Sequence, residues 1–134
     1  MSELSTETAA LIEGLTYDTN GLVPAIAQQH DTGEVLMMAW MNRESIVETL
    51  RGGRVVYWSR SRKALWRKGD TSGQVQKLIE MRVDCDQDCL LLLVDQIGVA
   101  CHTGRRNCFF TAVRDNSPRI IADVLVAPDK LYEK

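Results

Sequence analysis

Two apolar runs separated by a short polar turn constrain this chain more than any other feature. Leu22-Val23-Pro24-Ala25-Ile26-Ala27-Gln28 and Val35-Leu36-Met37-Met38-Ala39-Trp40-Met41 flank Asp31-Thr32-Gly33-Glu34. Runs of that length around a Gly-containing turn predict a β-hairpin. Pro24 has no N–H to donate, which predicts an edge strand or a strand start at that point. Asn42 is the expected N-cap of a helix over about 43 to 51, and Gly52-Gly53 its end. Val55-Val56-Tyr57-Trp58-Ser59 reads as a further strand, and Arg60 to Gly73 as a long basic loop. Val75 to Cys85 alternates imperfectly, as a half-buried strand does, whereas Leu90 to Val94 does not alternate and reads as buried on both faces. Gly98 to His102 leads into a loop, and Asn107 to Arg114 is strand-like again. Residues 1 to about 15 read as a loose or helical arm with little to bury. The expected fold is α+β, mainly antiparallel strands with one or two helices in a single compact domain.

At 134 residues the chain can bury one core without disulfides or structural metal. Its net charge is −2, which gives no global pull towards nucleic acid or membrane surfaces. The basic residues are nevertheless clustered, with Arg60, Arg62, Lys63, Arg67 and Lys68 in one stretch and Arg105 and Arg106 in another. Solvated surface is one reading of those clusters, and a pocket for a phosphorylated small molecule is the other. The N-terminal residues lack a basic flank and an apolar segment, and no apolar run approaches membrane-spanning length. A cytoplasmic location is expected, where thiols stay reduced and serve more often as metal ligands or catalysts.

The chemistry is concentrated in Asp84-Cys85-Asp86-Gln87-Asp88 and in Cys101-His102-Thr103-Gly104-Arg105-Arg106-Asn107-Cys108. Carboxylates suit a hard cation such as magnesium, whereas thiolate and imidazole suit zinc. In an extended strand Asp84, Asp86 and Asp88 would face one way and Cys85 the other. Asp84 and Asp88 would then stand about 13 Å apart, so a shared magnesium requires a bend near Gln87 or ligation through water. The aspartates alone could simply cap a turn. An EF-hand is excluded because Cys89 occupies the glycine position and Asp95 the closing glutamate position. Sulfurs around a tetrahedral zinc sit about 2.3 Å from the metal, so they must lie together. The Gly-containing loop between Cys101 and Cys108 can fold back to achieve that. Three thiolates and an open position would make a catalytic zinc, and all four cysteines a closed structural one. His102 is either a structural hydrogen bonder or a general base and proton shuttle.

In these segments the chain resembles the phosphoribosyl-AMP cyclohydrolases of histidine biosynthesis. The matching segments also include Tyr57-Trp58-Ser59-Arg60-Ser61-Arg62 and Leu65-Trp66-Arg67-Lys68-Gly69-Asp70-Thr71-Ser72-Gly73, so the likeness runs from about residue 20 to 114. It implies residues 16–118 as the catalytic domain, with 1–15 as a flexible N-terminal arm and 119–134 as a C-terminal tail. It further implies an intertwined homodimer with zinc at the subunit interface, Cys101 and Cys108 coming from one chain and Cys85 from the other. Asp84, Asp86 and Asp88 match the magnesium ligands. His102 is the implied proton shuttle. Arg60, Arg62, Arg67, Lys68, Thr71, Ser72, Gly73 and Arg105 are the expected substrate contacts, with Trp66 stacking on the purine or anchoring its loop. The implied reaction is zinc-dependent opening of the N1–C6 bond of the adenine ring in 1-(5-phosphoribosyl)-AMP. Two positions depart from the pattern, Cys89 where a small residue is expected and Asn107 where serine is expected.

Two rival readings are open to test. A zinc deaminase also attacks purine C6, but its H-x-E and P-C-x-x-C signature is absent. A small structural-zinc module with four thiolates, binding RNA through Arg60 to Lys68, would be salt-sensitive and without turnover.

Overall fold

In a computed structural model, residues 3–131 are described, and they form an α+β domain with three short helices and mostly antiparallel strands. The helices are one more than the sequence predicts. Strands β1 (Val23–Gln29), β2 (Val35–Met41), β3 (Val56–Ser59), β4 (Ala64–Arg67), β5 (Gln76–Val83) and β6 (Leu90–Gln96) build one sheet in the order β4-β3-β2-β1-β6-β5. A separate hairpin pairs β7 (Thr111–Arg114) with β8 (Ser117–Ile120). Helix α1 (Thr6–Glu13), helix α2 (Arg43–Gly52) and the short α3 (Pro128–Leu131) complete the chain.

The hairpin predicted around Gly33 is β1–β2, antiparallel from Val23↔Met41 to Gln28↔Val35. β1 is nevertheless central, because β6 runs parallel on its other side. Pro24 is tolerated there as a strand start, since the ladder to β6 begins only at Ala25↔Leu90. A bulge between Ala27 and Gln28 leaves Leu36 outside the register, so Leu36 and Met37 are both buried in succession.

Helix α2 has the predicted boundaries for the predicted reasons. Asn42 accepts from Ser45 N at 2.8 Å while Ser45 Oγ accepts from Asn42 N at 2.9 Å, a reciprocal cap. Gly53 closes it at φ 78°, in the left-handed region glycine favours.

The region 60–73 departs from expectation. Its middle is strand β4, paired Val56↔Arg67, Tyr57↔Trp66 and Trp58↔Leu65. The arginines and lysines hid a hairpin whose apolar members, Leu65 and Trp66, pack while its ends stay wet. The N-terminal segment also buries more than expected. Ile12 and Leu15 join Val23, Ala25, Leu36, Met41, Ile46, Val55, Tyr57, Leu90, Leu92 and Val94 in the core. That core fills the space between α1, α2 and one face of the sheet.

The opposite face is only half covered. β1 and β6 both alternate between buried and half-buried residues, so Leu91 and Leu93 are less buried than the unbroken run predicts. Met38 is 46% exposed in the same sheet. Among the described residues, no helix is long and apolar enough to cross a membrane.

Candidate active site

Three elements carry the chemistry: the turn between β5 and β6, the loop after β6, and the β3–β4 hairpin with the turn that follows it. The first holds the aspartates. Gln87 adopts φ 60°, so the chain bends where a bend was required. Gln87 N donates to Asp84 O at 3.0 Å, and Asp84 Oδ1 accepts from Asp88 N at 2.9 Å and Cys89 N at 3.1 Å. Asp84 therefore caps the turn through Oδ1. The bend overturns the expected alternation. One donor atom each from Asp84, Cys85 and Asp86 lies within 4.8 Å of the others, and all three residues are exposed. Backbone N–H donors, Asp88 first, hold the Asp84 carboxyl below its ordinary range. The Asp88 carboxyl is raised, chiefly by its contact with Asp84. The turn thus concentrates negative charge that a hard cation would relieve.

The second element brings two thiols together. Ala100 N donates to Arg106 O at 2.9 Å, Cys101 N to Arg105 O at 3.2 Å and Gly104 N to Cys101 O at 3.0 Å, folding the loop back. Leu36, left unpaired by the bulge, accepts Cys108 N at 2.7 Å through its carbonyl oxygen. Cys101 is buried. Cys108 is exposed as a residue, yet Cys101 is near enough to bear on its thiol. Desolvation first, then the Cys101 thiol, pushes Cys108 up to about 12. Two such thiols do not both ionise without a cation, and thiolate donors select zinc among the common ones. Thr103 Oγ1 lies 3.1 Å from Cys101 Sγ, and His102 stands exposed beside it. Among the described residues, Cys85 does not join Cys101 and Cys108 in a common group within one chain.

A polar network missed in the sequence supports this loop. Arg106 donates to Glu34 Oε1 (3.3 Å), Gly98 O (2.6 Å) and Gln29 Oε1 (3.0 Å). Gln96 donates to Ile97 O at 2.9 Å and accepts from Gln76 at 2.9 Å, and Tyr57 Oη donates to Gln76 at 2.7 Å. Asn107, at the position that departs from serine, donates to Glu34 Oε2 at 2.8 Å. Gln76 and Gln96 are nearly inaccessible, and two glutamines in otherwise strand-like runs were the available signal.

The third element gathers several expected substrate contacts. Arg62, Trp66, Arg67, Lys68, Thr71 and Ser72 line one cavity of about 340 Å³. Trp66 packs against Tyr57 with ring centroids 5.4 Å apart, which anchors the hairpin. Arg60 instead lies over Trp40, 4.8 Å from its ring. Arg67 is held by Glu48 at 2.5 and 2.9 Å. Lys68 turns inward, where burial lowers its pKa and Cys108 and Cys101 oppose that shift. Arg105 stacks on Phe110 at 4.1 Å and donates to Ala122 O at 2.9 Å. Gly73 follows the cavity in its own turn. A larger cavity of about 1010 Å³ lies along α2. Its arginines are already paired, Arg43 with Glu13 at 3.0 Å and Arg54 with Asp70 at 3.5 Å, and the thiols do not line it.

Comparison with known proteins decides between the readings of this geometry. The profile of the phosphoribosyl-AMP cyclohydrolase family matches residues 37–110, spanning all three elements. The chain belongs to that family. It is 74% identical to the phosphoribosyl-AMP cyclohydrolase of Rhodospirillum centenum over 125 residues, 93% of this chain and 94% of that protein. The phosphoribosyl-AMP cyclohydrolase of Paramagnetospirillum magneticum is 62% identical over 96% of this chain and 97% of its own length. That of Paracoccus denitrificans is 66% identical over 80% and 88%. The chain is therefore an enzyme of the cyclohydrolase family.

Proposed function

We propose that this cyclohydrolase hydrolyses the N1–C6 bond of the adenine ring of 1-(5-phosphoribosyl)-AMP, yielding the formimino-carboxamide ribotide of histidine biosynthesis in the cytoplasm. The observation that carries the reading is the folded-back loop, which returns Cys108 towards Cys101, while Cys85 forms no common group with them in the same chain. Zinc would be held by Cys101, Cys108 and Cys85 of the partner subunit, with magnesium on Asp84, Asp86 and Asp88. Bound there, zinc would lower the pKa of a water molecule towards neutrality and so supply the nucleophile for C6.

The chain's own groups do the rest. His102, exposed beside Cys101, would carry a proton to the departing ring nitrogen. Arg62, Thr71 and Ser72 offer donors around the 340 Å³ cavity for phosphate oxygens. A homodimer is supported by the apolar surface of the single chain. Met38 on the sheet, and Val113 (73% exposed), Ile120 and Leu125 around the β7–β8 hairpin, lack cover.

The test is turnover of phosphoribosyl-AMP by the purified protein, followed by absorbance on ring opening with metal content measured on the same sample. Activity should vanish when zinc is chelated and return when zinc is restored with magnesium present. Tightly held zinc without turnover would refute the reading and favour a structural-zinc module.

A further inference from the structure

Lys68 lines the 340 Å³ cavity, yet its ammonium end is turned into the protein. It is 6% exposed, and its Nζ donates to Ala100 O at 2.8 Å, one residue before Cys101. The Trp66 ring lies 5.6 Å from the same nitrogen, a weak cation–π contact. Asp70, the carboxylate beside it in the cavity lining, is engaged by Arg54 at 3.5 Å. Among the described residues Lys68 has no carboxylate partner. An ammonium group taken out of water with a carbonyl and a ring for company is under-compensated. Cys101 follows Ala100 directly in the chain, so the loop that accepts the Lys68 hydrogen bond is the one that carries the thiols.

Three thiolates on one divalent zinc carry a net negative charge that the surrounding protein must offset. We propose that Lys68 is the counter-charge of the zinc–thiolate centre, a positioning residue that holds Ala100 and balances the thiolates from inside, and is not a phosphate ligand. The inference rests on the zinc reading above and assigns that centre a buried partner on the β3–β4 hairpin. It also couples the hairpin carrying the substrate cavity to the loop carrying Cys101 and His102.

The experiment compares full-length wild type with Lys68→Met, which keeps the stem and removes the charge. Lys68→Gln, which keeps a donor for Ala100 but no charge, is the second variant in case the first does not fold. Zinc affinity is measured by chelator competition, thiolate ligation by the charge-transfer absorption of the cobalt(II)-substituted protein, and stability by melting the zinc-free protein. Both variants should lose zinc affinity by at least about tenfold, the scale expected when a group supporting metal ligands is removed. Their zinc-free forms should melt at or above the wild-type temperature, because an uncompensated buried charge has gone. Unchanged zinc affinity with a raised KM would overturn the proposal and return Lys68 to the phosphates. A lower zinc-free melting temperature with unchanged affinity would overturn it in favour of a structural lysine. If wild type itself binds no zinc, the zinc reading falls and the counter-charge role with it, a result distinct from loss in the variants alone.

Discussion

Cys89 and Cys108 are both thiols with raised pKa, yet their surroundings differ in kind. Cys89 is half-buried, its Sγ donates weakly to Leu90 O at 3.8 Å, and desolvation with the Asp84 and Asp88 carboxylates raises it. Nothing among those influences is a second thiol. Cys108 is raised by desolvation and by Cys101, a neighbour that can share a cation with it. We therefore expect Cys89→Ala to retain one zinc per subunit and activity close to wild type, read by metal analysis and initial rates. Loss of zinc in that variant would instead place Cys89 in a closed four-thiolate site. At this scale the candidate ligands were legible as residue types, but the side of the chain they face was not. Treating 84–88 as extended separated Cys85 from Asp84 and Asp86, whereas the turn closed by Gln87 N on Asp84 O gathers them. Lys68 faces inward, which its residue type alone did not reveal. Its spacing of two from Trp66, which packs inward on Tyr57, was the signal that it would follow.

Among the elements, the loop from Cys101 to Cys108 depends on a glycine that the tail closes over. Gly104 has φ +86°, and a Cβ there would meet Val126 O at 1.7 Å. Its carbonyl also accepts Leu125 N at 2.8 Å and Val126 N at 3.1 Å. Gly104→Ala carries about 1–2 kcal/mol for a left-handed L-residue and must also push the tail from the loop. Zinc retention and activity should both fall by more than about tenfold, the scale of perturbing a metal-supporting group. Gly53→Ala is the control, with φ +78° and no atom within 4 Å of the new Cβ. It should lower the melting temperature and leave zinc binding alone; equal zinc affinity in the two variants would contradict the role given to Gly104. Elements with local signals were readable, such as α2 with its Asn42 and Gly53 caps. β4 was not, because charge at its ends masks Leu65 and Trp66. The parallel β1–β6 pair was not either, since contacts between residues 25–29 and 90–94 leave no local trace. The Leu36 bulge that holds Cys108 is likewise invisible without its partner strand.

For the whole molecule, Cys101 and Cys108 stand on one loop and Cys85 in the β5–β6 turn, with no common group joining the three among the described residues. Cys85 is exposed, as a ligand offered to another subunit has to be. The shared site makes a claim that no single-chain account makes, and mixing inactive protomers tests it most directly. Cys85→Ala and Cys101→Ala proteins are each expected to be inactive alone. Exchanged together, with heterodimers verified by differential tagging, they should recover up to about a quarter of wild-type activity, since half of statistically formed dimers contain one intact site of two. Zinc should return in the same proportion. Exchange without any recovery of activity or zinc would contradict an active site built across two subunits.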